Sequence, residues 1–167
     1  MSKNKSGYVM DVIGRQEAGK SPFIKSLYRQ SLYYKYKRSC VLDIENEYDH
    51  NEHTIFTDLD LFKKHLETAK AQFIIIEEAT TFVASFKDFD LQKLCVKIAH
   101  NNNVCIFVFH TLMDAPKSLL NKSRYIALFD TLDDEKDIKS QRNRYYNFFM
   151  MKNKPVIIDN YNLCVIT

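Results

Sequence analysis

The sequence predicts an α/β fold of three layers, with helices on both faces of a mostly parallel central sheet and a C-terminal antiparallel strand extension or hairpin. Three observations carry the prediction. Short runs apolar on both faces alternate with stretches at helical spacing, the pattern of strands covered on both sides. A loop bounded by glycines joins the first such strand to the first helix. The final runs, "NRYYNFFMM" and "KPVIIDNYNLCVIT", read as strands with no helix between them.

The elements follow in order. "GYVMDVIG" is a β-branched apolar run ending at a glycine, a buried strand that enters the loop. Ser21 and Pro22 open a helix through about Tyr36, because proline is tolerated in a first turn where its missing N–H has no partner to lose. "CVLDIE", residues 40–45, is a second buried strand, followed by the polar stretch "NEYDHNEHT". Leu59, Phe62, Leu66 and Ala69 mark the next helix, and "FIIIEE" is the third strand. Residues 87–100 are helical in spacing, "VCIFVF" (104–109) is the fourth strand, and "RYIALFD" the fifth. The mixed-charge stretch at 133–144 is a low-complexity hint, and its basic residues Lys139, Arg142 and Arg144 after "DDEKD" read as a wet loop, with contact to another subunit as the alternative.

At 167 residues, 1–167 form one domain, long enough for one core and too short for a second. A hydrophobic share of 46% with 27% charged residues is that of a globular protein, without signal peptide or membrane-length apolar run, so a cytoplasmic place is expected. Cys40, Cys95, Cys105 and Cys164 sit beside apolar neighbours with no CxxC pair, which predicts buried free thiols. A net charge of +3 permits nucleic-acid contact without arguing for it.

Of three glycines, Gly14 and Gly19 fall on the two glycine positions of GxxxxGK[ST] in "GRQEAGKS". The chemistry of that loop is phosphate binding. Gly14 and Gly19 supply permissive turns, the backbone through Arg15, Gln16, Glu17, Ala18, Gly19, Lys20, Ser21 and Pro22 wraps the ligand, and the helix start adds its positive dipole end. Lys20 is expected on the β and γ phosphates of ATP and Ser21 on Mg2+. The predicted cofactors are therefore ATP and Mg2+.

Glu77 and Glu78 follow directly on the apolar run 73–76, which puts two carboxylates at the C-terminal end of a buried strand, where ligands of open α/β sheets sit. Glu77 is assigned to the water shell of Mg2+ and Glu78 to general-base activation of the attacking water. The next strand ends "VFHT", so His110 or Thr111 is the polar sensor beside the γ-phosphate.

In order, VIGRQEAGKS, VLDIENEY, FIIIEEA and IFVFHTLMDAPKSLLNKSRYIALFDT resemble the FtsK/HerA superfamily of DNA-pumping ATPases, in particular compact viral and phage genome-packaging ATPases, over about residues 7–132. Val41, Leu42, Asp43, Glu47 and Tyr48 match one segment of that pattern, and Pro116, Leu119, Tyr125, Ile126 and Phe129 another. Glu77 in place of aspartate and His110 in place of glutamine or a small polar residue depart from it. The resemblance implies a P-loop NTPase that moves DNA, single- or double-stranded, through a homo-oligomeric ring of about five or six subunits. It also implies a capsid vertex or membrane partner and, if the source is viral, a virion-associated place.

Such rings complete the site with an arginine, for which Arg124, Arg142 and Arg144 are the downstream candidates and Arg15, within the loop, the candidate acting in its own subunit. Two rival functions stand beside the motor: a small-molecule or nucleotide kinase, and a phage morphogenesis or export ATPase resembling the zonula occludens toxin family. "YRQSLYYKYKR" (28–38) interleaves aromatic and basic residues as a nucleic-acid surface does, although tyrosines at this spacing also suit packing on the sheet. His50 and His53 offer a metal pair within an otherwise polar loop.

Overall fold

A computed structural model of the chain describes residues 7–34, 38–151 and 154–166. The first half runs β1 (Tyr8–Ile13), α1 (Lys20–Tyr34), β2 (Ser39–Leu42), β3 (Thr54–Phe56), α2 (Leu59–Thr68), β4 (Phe73–Ile76) and α3 (Ala79–Ala84). The second runs α4 (Asp88–His100), β5 (Val104–Phe109), α5 (Lys117–Lys122), β6 (Tyr125–Leu128), α6 (Glu135–Gln141), a 3-10 turn (Asn143–Tyr145), α7 (Tyr146–Phe149), β7 (Val156–Asp159) and β8 (Cys164–Val165). The last two residues predicted for the first helix lie outside the described residues.

The strands form a single sheet in the order β3-β2-β4-β5-β1-β6-β7-β8. The first six in that order pair in parallel, and β7 and β8 add antiparallel. The apolar runs explain the layers. Val9, Ile13, Leu42, Ile76, Phe107 and Phe109 point to one face, where Phe62, Phe82, Leu91 and Ile98 of the helices cover them. Met10, Val12, Val41, Ile75, Ile106 and Val108 point to the other and meet Ile24 and Tyr28 of α1. Each fully buried aliphatic or aromatic side chain of this kind contributes about 1.5–3 kcal/mol. This is the three-layer P-loop NTPase architecture, with its C-terminal hairpin.

Local chemistry sets the boundaries. The Asp58 carboxylate accepts from the N–H of Leu61 (2.8 Å) at the start of α2, and that of Asp134 accepts from Lys136 (2.7 Å) at the start of α6, so both helices begin at a side-chain cap. Asn160 fastens the hairpin: its amide donates to Leu120 O (2.7 Å) and Ser123 O (2.8 Å), and its oxygen accepts from Tyr145 Oη (2.9 Å).

The structure corrects the reading at several points. Residues 143–149 are a 3-10 turn and a helical turn, not a strand, because Tyr145 and Phe149 bury one side at a spacing of four while β7 takes the free edge of β6. The mixed-charge stretch holds α6 where a loop was expected. "TIF" forms β3, an edge strand the pattern did not mark. Cys40, Cys95 and Cys105 are buried as expected, whereas Cys164 is exposed on β8.

Candidate active site

The loop leaves β1 at Ile13 with its path already tied on two sides. Gly14 N–H donates to Phe109 O (3.0 Å) on β5, and Arg15 N–H donates to Asp130 O (2.8 Å) beyond β6. Gly14 is required by close approach, since a Cβ there would lie 2.6 Å from the Phe129 Cβ. Gly19 is required by backbone, with φ of 96°. Glu17 also adopts the left-handed conformation (φ 62°), a strained choice for a residue with a side chain and a mark of an imposed loop shape. The N–H groups of Lys20 and Ser21 open α1 with no preceding helical turn to bond, since Pro22 has no N–H and Phe23 N–H already donates to Gly19 O (3.4 Å).

Lys20 is buried, and its Nζ donates to Gly14 O (2.5 Å) and Arg15 O (2.9 Å), so the ammonium spans the loop from inside. Burial holds its pKa below the ordinary value, while Glu77, Glu47 and Glu78 pull it back up.

The sheet order decides what faces the loop. β5 lies between β1 and β4, so the end of β5 stands between the loop after β1 and the carboxylates after β4. Glu77 extends the ladder through its N–H to Leu42 O (3.2 Å), and its Oε1 accepts a short hydrogen bond from the Tyr48 hydroxyl. Burial raises the Glu77 pKa, opposed by that hydrogen bond and by Lys20. Glu78 occupies the position before α3 without capping it, which leaves its carboxylate free. His110 Nε2 is 3.9 Å from Glu78 Oε1. Thr111, the alternative sensor, spends its hydroxyl on the N–H of Asp114 (3.1 Å).

These groups line a cleft of about 460 Å3 with Gln16, Glu17, Gly19, Lys20, Ser21 and Pro22 on one wall and Asp43, Glu45, Glu47, Glu77, Glu78 and His110 on the other. Six carboxylates face one ammonium. An anion alone is repelled by such a lining, whereas a phosphate chain carrying a divalent cation is matched to it. The Ser21 hydroxyl and the Glu77 carboxylate are hard oxygen donors suited to Mg2+, which keeps several waters and takes phosphate oxygens. Among the described residues no group of three His, Cys, Asp or Glu comes together as a metal cage.

The remaining candidates fall elsewhere. Arg15 pairs with Asp130 (Nε to Oδ2, 2.6 Å), with both side chains about half exposed. Arg124 stands at the start of β6, at the end of the sheet opposite the loop, exposed and set over the rings of Tyr125 (5.3 Å) and Tyr161 (5.9 Å). Arg142 is buried and donates to Ala115 O (3.0 Å) and Met113 O (3.4 Å), and Arg144 donates to Asn160 O (2.6 Å), so both serve their own chain. Tyr28 packs on Phe73 (5.6 Å) and His53 (4.5 Å), taking it out of any nucleic-acid surface. His53 is buried against the Ser39 hydroxyl (2.7 Å) while His50 is exposed beside Asn46. Two contributors carried no recognisable signal as site residues in the sequence: Asp130, and Asp133, whose carboxylate accepts from the N–H of Leu112 (2.7 Å) and Met113 (3.2 Å) in the loop bearing His110.

No protein-family model matches the sequence, and comparison with curated proteins finds no match. Solved structures do match. The genome packaging NTPase B204 of Sulfolobus turreted icosahedral virus 2, in complex with AMPPCP, superposes with a TM-score of 0.77 at 15% identity, covering 98% of this chain and 97% of that one. B204 of Sulfolobus turreted icosahedral virus, a DNA-packaging ATPase, gives 0.69 at 16% identity over 95% of each chain. The N-terminal domain of zonular occludens toxin from Neisseria meningitidis gives 0.58 at 12% identity, covering 97% of this chain and 94% of that one. At these identities the likeness is one of fold.

Proposed function

We propose that this chain is a Mg2+-dependent ATPase that drives DNA translocation through a ring of its own copies, in the manner of a viral or phage genome-packaging motor. The observation that carries the reading is the pair Glu77 and Glu78 at the end of β4, separated from the phosphate loop by the end of β5. The loop amides and Lys20 bind and orient the triphosphate, and Lys20 exchanges its contacts with Gly14 O and Arg15 O for phosphate oxygens. Ser21 and Glu77 would hold Mg2+, which would supply neutralisation of the outer phosphate oxygens. Glu78 takes a proton from water as the water oxygen bonds to the terminal phosphorus and the bond to the bridging oxygen breaks, leaving ADP and phosphate. On this reading His110, 3.9 Å from Glu78, holds the same water or the terminal phosphate.

Arg124 cannot serve its own cleft from the far end of the sheet, so its use in catalysis requires a neighbour packed head to tail, the arrangement that closes into rings. Arg15 serves, on this reading, as a brace between the loop and Asp130.

ATP hydrolysis measured with and without single- and double-stranded DNA, alongside solution mass, tests the proposal. DNA-stimulated turnover by an oligomer is expected. Consumption of ATP only with a small acceptor points to the kinase alternative. Turnover indifferent to DNA, in an oligomer, points to the export reading that the fold shared with the zonular occludens toxin domain favours.

A further inference from the structure

Tyr48 joins the ends of β2 and β4 at the cleft wall. Its backbone N–H donates to the fully buried Asp43 carboxylate (2.8 Å), its hydroxyl donates to Glu77 Oε1, and it is itself buried. The ring is fixed from behind by His53 (5.3 Å), which the Ser39 hydroxyl (2.7 Å) and Tyr28 of α1 (4.5 Å) hold in turn. A phenol locked in this way needs an acceptor at one place, and Glu77 has the length to supply it. An aspartate would withdraw the carboxylate by one C–C bond and leave a buried hydroxyl without a partner. Oε1 of Glu77 is taken by Tyr48, no hydrogen bond to its second oxygen is found among the described residues, and Glu77 lines the same cleft as Lys20 and Ser21.

Resting on the ATPase reading above, we propose that Tyr48 is a positioning residue that sets the reach and orientation of Glu77 towards the divalent cation, so that Tyr48 and Glu77 act as a matched pair. The glutamate in place of the more usual aspartate then has a physical reason: the carboxylate is measured to the tyrosine. Asp43 orders the tyrosine from its backbone.

The experiment follows Mg2+ rather than turnover. A fluorescent ADP analogue is titrated onto the full chain and onto Tyr48→Phe, Glu77→Asp and the double variant, first without Mg2+ and then with increasing Mg2+. Wild type is expected to bind the analogue more tightly with Mg2+. Each single variant should need about tenfold more Mg2+ for the half-maximal effect, the size typical of losing a group that orients a metal ligand. The double variant should be no worse than either single one, because both break one pair, while Mg2+-free binding stays the same in all four. A purely structural role for Tyr48 would lower the melting temperature and leave the Mg2+ requirement alone. Multiplying effects in the double variant, or an unchanged Mg2+ requirement in Tyr48→Phe, overturns the pairing. Should Tyr48→Phe not fold, Glu77→Asp decides alone, and wild-type Mg2+ affinity in that variant overturns the claim. If wild type binds no nucleotide under any condition, the ATPase reading fails and the pairing fails with it. Nucleotide binding that is Mg2+-dependent yet indifferent to both substitutions refutes only the pairing.

Discussion

His110 Nε2 lies 3.9 Å from Glu78 Oε1, beyond hydrogen-bonding reach, with the carboxylate about one-third exposed and no helix cap engaging it. Two polar groups that face each other without bonding are both available to a third, here a water or a phosphate oxygen. Replacing the carboxylate by its amide keeps the shape and removes the basicity. Glu78→Gln is therefore expected to bind an ATP analogue within about twofold of wild type and to lose about 10²–10⁴-fold in kcat, the usual weight of a general base. Single-turnover hydrolysis and equilibrium binding measure the two halves. Hydrolysis at the parental rate removes Glu78 from the mechanism.

The loop carrying His110 is held by residues far along the chain. Asp133 accepts from the N–H of Leu112 and Met113, and the buried Arg142 guanidinium donates to the carbonyls of Met113 and Ala115. Removing either side chain strands buried polar groups, at about 1–3 kcal/mol each. Asp133→Ala and Arg142→Ala should both lower the melting temperature. At a temperature where each variant is fully folded, kcat should fall while affinity for an ATP analogue stays near the parental value. Loss of stability with unchanged kcat would show that the clamp does not hold His110 in place.

The parts legible in the sequence are those whose partners are near in the chain or whose composition is rare. With so few glycines, Gly14 and Gly19 announce the loop, and the run before Glu77 announces a buried strand end. The tie from Tyr48 to Glu77 spans 29 residues and that from Arg15 to Asp130 spans 115, so no local pattern encodes either. Aromatic density misled the reading of 143–151, because Tyr145 and Phe149 serve a helical turn as well as a strand, and only the pairing of β6 with β7 shows the edge is taken.

Arg15 and Arg124 make opposite predictions about where catalysis is completed. The Arg15 pair with Asp130 is exposed on both sides, and such pairs contribute about 0–1 kcal/mol, so Arg15→Ala should leave the melting temperature nearly unchanged and kcat within about tenfold. Arg124→Ala should be inactive alone, and mixing it with Glu78→Gln should restore turnover that neither has, because an intact arginine then meets an intact base across a subunit boundary. Mixtures as inactive as their parts, combined with an inactive Arg15→Ala, would move the arginine into its own subunit.

Asp11 gives a pH prediction that does not depend on the nucleotide. It is fully buried in mid-β1, neither carboxylate oxygen has a hydrogen-bond partner among the described residues, and burial raises its pKa from 3.8 to about 7, opposed by the nearby Ser123. The folded state binds this proton more tightly than the unfolded chain does, so stability is greatest below about 3.8, declines as pH rises, and levels off above about 7. The full span is on the order of 4 kcal/mol. Other groups contribute to the same curve: Glu77, also raised by burial, acts with the same sign, and His53, lowered by burial, acts with the opposite one. The difference between wild type and Asp11→Asn isolates the one carboxyl, because the other groups are common to both proteins. Denaturant unfolding at several pH values should show Asp11→Asn gaining on wild type steadily from about pH 4 to pH 7 and holding that gain at pH 8. A difference independent of pH over this range would mean that Asp11 is ionised throughout in the folded protein, and its burial would then need a partner that water or a bound ion provides.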